Sequence, residues 1–301
     1  MSQYKTIVVK FFIFMALLFV TDRAVSYFIL EGLYKYYGFD KPAEILMIGH
    51  SHTMLGIDEV LMETELQTTV AKYAREGANN LDRLLMLKHF LNSNGEGVKL
   101  VTYDVDANFL TSEGLSENSY RLFFPFLDDS PEIREYIKNE SDSKLDYLSK
   151  LFIKTARYND LNLKASFRGH LQNFTNIKYG VLDTVTLKQQ VANGEFRKIT
   201  FNEEAKKQFE ETLNLLAEKN IPTFLILIPT NQIINDAEPE KYQQAIQLLR
   251  NYEKQYTNVH FFDYNVLFAK RHELFYDPIH LNPQGQKEVT EKLIEDIKSI
   301  L

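Results

Sequence analysis

Ile45-Leu46-Met47-Ile48-Gly49-His50-Ser51-His52-Thr53 is the stretch whose reading decides the fold. Four consecutive apolar residues closed by a glycine read as a strand buried on both faces, as in parallel sheets. A small hydroxyl side chain stands just past its end, where open parallel sheets place their ligands. Far downstream, Tyr276-Asp277-Pro278-Ile279-His280-Leu281-Asn282-Pro283-Gln284-Gly285 supplies a carboxylate and an imidazole. Attack on an acyl carbon needs a hydroxyl, an imidazole to take its proton and a carboxylate to fix the imidazole tautomer, in any chain order the fold can gather. Ser51, His280 and Asp277 can therefore make one Ser-His-Asp triad.

Outward from that first strand, strand and helix signals alternate as a doubly wound sheet requires. Strands are predicted at 44–48, 68–73, 98–105, 222–228 and 259–264. Between them, 80–92 carries Leu81, Leu84, Leu85, Leu87, Phe90 and Leu91 at spacings near a helical turn. Similar periods run through 203–219 and 241–256. The expected architecture is α/β, a three-layer sandwich around a mostly parallel five-stranded sheet. Ser51, Gly77, Asn108 and the Thr230-Asn231 loop would all follow strand ends. The alternation breaks from about 111 to 200, read as a mostly helical insertion over the active site. The expected organisation is an anchor and connecting helix over 1–40 and an α/β domain over 41–301.

The two quoted stretches resemble the SGNH, or GDSL-like, hydrolase family. Gly49-His50-Ser51 matches its first block, Gly-Asp-Ser, with His50 standing where the family carries Asp. Asp277-Pro278-Ile279-His280 matches its last block, Asp-x-x-His. The resemblance implies Ser51 as nucleophile, His280 as general base and Asp277 as its orienting partner. It also implies an oxyanion hole from the Ser51 backbone N–H, Gly77 after the second strand and Asn108 after the third. His50, His52 and Asn231 are its expected neighbours.

Each residue also has a plainer reading. Ser51 could cap a helix, Gly77 could serve only a turn needing positive φ, and Asn108 could be a loop residue. Asp277 and His280 could cap the helix that starts near Pro283. His50 and His52 invite a metal, since zinc takes N, O and S ligands. No further clustered His or Asp follows in a metallohydrolase pattern, so no metal and no cofactor are expected.

At 301 residues with 45% hydrophobic and 25% charged content, the chain has the composition of a globular α/β protein rather than a disordered one. A net charge of −7 without a Lys/Arg-dense patch gives nucleic-acid binding no electrostatic basis. The absence of cysteine excludes disulfides and thiol catalysis. Lys5 and Lys10 precede the apolar run from Phe11 to Val20, and after Thr21-Asp22-Arg23 the chain turns apolar again without a cleavage motif. This reads as an uncleaved signal anchor with the rest of the chain outside the cytoplasmic membrane.

Membrane-anchored chains with this pattern resemble proteins that serve O-acylation of cell-envelope polymers. The resemblance implies an envelope polysaccharide or other acylated glycan as substrate, and a membrane-bound O-acyltransferase as partner. An extracytoplasmic esterase would use the same triad. A catalytically inactive envelope binding module on the same fold is the alternative from another class, and contact between Ser51 and His280 separates it from an enzyme.

Overall fold

Short apolar runs become five strands: β1 (Ile45–Gly49), β2 (Val70–Ala74), β3 (Leu100–Val105), β4 (Thr223–Leu227) and β5 (Val259–Asp263). In the computed structural model, which describes residues 3–111 and 119–300, they pair in parallel in the order β2-β1-β3-β4-β5. The chain is thus α/β with a five-stranded parallel sheet, as expected from its sequence. Every residue of β1 to β4 is buried, and only the edge strand β5 alternates. That burial explains why the strands read as apolar runs: parallel strands are joined by crossover helices, which cover both faces of the sheet.

On one face Ile45, Met47, Val70, Leu100, Phe224 and Ile226 pack with Ile57, Met62, Val289, Leu293 and Ile297. These last come from the segment around helices Ser51–Gly56 and Glu59–Leu66 and from the final helix Pro283–Ile300. On the other face Tyr103 meets Phe209 at a ring distance of 5.5 Å, and Phe209 meets Tyr252 at 5.3 Å. Helices Asn80–Asn94, Glu203–Glu218 and Pro239–Gln255 lie where periodicity placed them. Asn79 starts the first with a reciprocal bond to Asp82, and Asn202 starts the second through its side chain.

The chain divides into two compact units, one of residues 1–36 and 120–173 and one of residues 37–119 and 174–301. The insertion expected over 111–200 is parted between them, and its residues 112–118 lie outside the described ones. In the first unit the helix Gln3–Tyr37 runs unbroken for 35 residues, through the polar triplet at 21–23. It is long and apolar enough to cross a membrane. Asp22 explains the continuity: its carboxylate accepts the backbone N–H of Lys154 (2.9 Å) and Thr155 (2.9 Å). Further along, Gly32 and Gly169 let the helix Asp160–His170 lie close, since a Cβ on Gly169 would fall 1.9 Å from the Gly32 carbonyl oxygen. The second unit holds the sheet and all the candidate residues.

Candidate active site

A parallel sheet in this order has its crevice where the chain departs to both sides, at the carboxyl ends of β1 and β3. Gly49 ends β1 there, and no other residue fits: a Cβ would lie 2.1 Å from Thr53 Oγ1 and 2.8 Å from Asp104 Cγ. His50 then supplies the cap of helix Ser51–Gly56, its Nδ1 lying 3.1 Å from the His52 backbone N–H. Capping by His50 leaves Ser51 as the first helical residue with its hydroxyl unspent. The plain cap reading of Ser51 therefore fails.

The Ser51 Oγ lies 2.9 Å from His280 Nε2, and His280 Nδ1 lies 2.8 Å from Asp277 Oδ2. With its Nδ1–H donating to the carboxylate, the imidazole leaves Nε2 to accept the Ser51 proton. Asp277 Oδ1 also accepts the N–H of Ile279 (3.0 Å) and His280 (2.9 Å), which fixes the loop that carries the base. Burial, the largest single influence, would raise the Asp277 carboxyl, but the bond and charge of His280 together with the Ile279 and His280 N–H groups hold it below the ordinary carboxylate range. Neither residue caps the last helix. Asn282 does so, accepting from Gln284 and Gly285 at 3.1 Å each.

Gly77 adopts a left-handed φ of 74° in the turn after β2 and borders the same cavity as Ser51 and His280. Asn108 borders it too; its backbone N–H donates to Asp106 Oδ1 (2.7 Å), and its side-chain Oδ1 is buried without a partner among the described residues. Asn231 is fully buried and stands behind the site. It starts the helix Gln232–Asn235, and its backbone N–H donates to the Pro278 carbonyl (2.9 Å), bracing the Asp277–His280 loop.

Three residues that sequence spacing did not single out shape the site. Asp104, on β3, accepts the backbone N–H of His50 and of Thr53 at 3.1 Å each through Oδ2. Its Oδ1 takes Arg83 Nη1 at 2.8 Å, and both side chains are only 2% exposed. Burial would raise the Asp104 carboxyl, yet His50 and Arg83 keep it ionised below its ordinary range. Asp106 follows two residues on and faces both histidines. His50 Nε2 lies 3.5 Å and His52 Nδ1 3.8 Å from its Oδ2. A detectable signal existed: Asp104 is a charge inside a wholly buried strand, and Arg83 a charge inside a leucine-rich helix.

The cavity measures about 530 Å³. Besides the triad, its walls combine apolar Leu187, Ile199, Ile234 and Tyr242 with polar Glu76, Gln190, Arg197 and Glu238. Leu187, Gln190, Arg197 and Ile199 come from the part of the expected insertion that belongs to the second unit.

No protein-family model matches the chain, and no curated protein sequence matches it. Among solved structures it is similar to a GDSL-like lipase from Bacteroides thetaiotaomicron, at 12% identity and TM-score 0.44 over 87% of this chain and 91% of that one. A lipase/acylhydrolase from Enterococcus faecalis is similar at 12% identity and TM-score 0.31 over 85% and 96%.

Proposed function

We propose that this chain is a serine acyl hydrolase or acyltransferase of the SGNH type. The observation that carries the reading is the unbroken Asp277–His280–Ser51 chain of contacts at the carboxyl edge of the sheet, opening on a cavity. Ser51 Oγ attacks the acyl carbon, its proton passing to His280 Nε2 while Asp277 holds the imidazole and stabilises the imidazolium. The backbone N–H groups of Ser51 and Gly77 and the side chain of Asn108 are the proposed donors to the oxyanion, each worth roughly 3–4 kcal/mol to the transition state. His280 then returns the proton to the departing oxygen, and a hydroxyl resolves the acyl-enzyme. A Ser51–His280 pair within hydrogen-bond reach favours this over a non-catalytic binding module.

The resolving hydroxyl decides between esterase and transferase. A cavity of about 530 Å³ lined by both apolar and polar side chains has room for a short acyl group beside a sugar hydroxyl. The long apolar helix Gln3–Tyr37 favours an anchored protein. We take the acceptor to be an envelope glycan outside the cytoplasmic membrane, with the acyl group handed over by a membrane-bound O-acyltransferase. The full chain in detergent should hydrolyse a small activated acyl ester, and Ser51→Ala should abolish this while the protein stays folded. A variant that keeps the wild-type rate would overturn the nucleophile assignment.

A further inference from the structure

His50, His52 and Asp106 each offer one ligand atom, and these lie within 4.8 Å of one another. The 3.5 and 3.8 Å separations from the carboxylate oxygen are too long for good hydrogen bonds. They are close to the ligand-to-ligand edge of a tetrahedral zinc site, about 3.3–3.5 Å for bonds of about 2.0–2.1 Å. His52 supplies the independent observation. It is 3% exposed, and its Nδ1 points at Asp106 with no hydrogen-bond partner among the described residues. Buried polar atoms in folded proteins are almost always bonded, so a buried nitrogen of this kind calls for a ligand.

The surroundings suit a cation as well. His50 Nδ1 lies 3.2 Å from Asp104 Oδ2, the placement in which a ligating histidine donates its other ring N–H to a carboxylate. For Nε2 to bind a metal its proton must move to Nδ1, which then gives up the cap bond from the His52 N–H and donates to Asp104 instead. Arg83 in turn holds Asp104. All three donors border the cavity.

We propose that His50, His52 and Asp106 bind one divalent transition-metal cation of the zinc class, leaving a coordination position open to the cavity for an oxygen ligand. The donor set of two imidazoles and one carboxylate favours such a cation over calcium or magnesium, which prefer oxygen ligands. The site stands whether or not Ser51 is a nucleophile.

The untagged full chain in detergent, stripped with a chelator, is titrated with Co²⁺ and then Zn²⁺. One saturable equivalent of Co²⁺, with the visible absorption of a four- or five-coordinate ion and displaced by Zn²⁺, is expected. X-ray absorption of the zinc-loaded wild type should read two imidazoles. His50→Gln and Asp106→Asn should each weaken binding at least tenfold, whereas Ser51→Ala should bind as the wild type does. Absence of saturable binding below millimolar metal would overturn the proposal, as would a zinc spectrum without imidazole scattering. Fluorophosphonate labelling of Ser51, measured separately, reports on the serine chemistry alone.

Discussion

Asp277 does two jobs with two oxygens: Oδ1 takes the backbone of its own loop and Oδ2 takes the imidazole. Asp277→Asn should keep the loop largely in place but lose the carboxylate that fixes the tautomer, so kcat should fall roughly a hundred- to ten-thousand-fold. Circular dichroism should show the variant folded, and equal activity would reduce Asp277 to a turn residue. Asp104 is different in kind, since it holds the backbone of His50 and Thr53 on either side of Ser51 rather than any reacting atom. Asp104→Ala strands the buried Arg83 guanidinium and two backbone N–H groups, at a cost of about 3–5 kcal/mol in chemical denaturation. A loss under 1 kcal/mol would contradict that account. The meeting of Ser51, Asp277 and His280 was legible because their residue types stand in recognisable local spacing. Asp104 and Arg83 showed only as charges in apolar surroundings, and Asp106 not at all, because their roles arise only when β3 lies beside β1 and the helix Asn80–Asn94 brings Arg83 to Asp104.

At the scale of elements, the sheet was legible almost to the residue. Burial on two faces imposes the apolar runs clearest in β1 and β4, and crossover helices impose the periods between the strands. The start of helix Ser51–Gly56 was less legible, because a histidine cap is uncommon and Ser51 was the more familiar candidate. The next helix, Glu59–Leu66, carries a titration. Burial raises the Glu59 carboxyl to about 7 despite the opposing Lys72 charge, and its Oε2 has no hydrogen-bond partner among the described residues. A carboxyl raised on folding binds its proton more tightly in the native state. Its contribution is therefore fully present below about pH 4.5 and is lost as the pH rises through 7. At about 1.4 kcal/mol per tenfold change in proton affinity, this amounts to on the order of 3 kcal/mol. Glu59→Gln should remove that slope and be the more stable protein at pH 8, as read by urea denaturation at pH 5 and 8. Parallel pH dependences for variant and wild type would mean Glu59 is hydrated.

At the scale of the whole molecule, the N-terminal helix was legible as apolar but not as one piece. Thr21-Asp22-Arg23 looks like an interruption until residues 154 and 155, over a hundred positions later, supply the N–H groups that Asp22 accepts. If the apolar part is an uncleaved anchor with Lys5 and Lys10 inside, the protein should stay in the membrane fraction at high salt. A reporter fused after Leu301 should then be active only outside the cytoplasm. A cytoplasmic reporter would remove the envelope acceptor and leave an intracellular esterase. The proposed function turns on one atom, Ser51 Oγ, and its contact with His280. The full chain is incubated with a fluorophosphonate and the modified peptide read by mass spectrometry. A single adduct on Ser51, lost or slowed at least a hundredfold in His280→Ala, is the expected result; an unlabelled Ser51 in the folded wild-type protein would contradict the account.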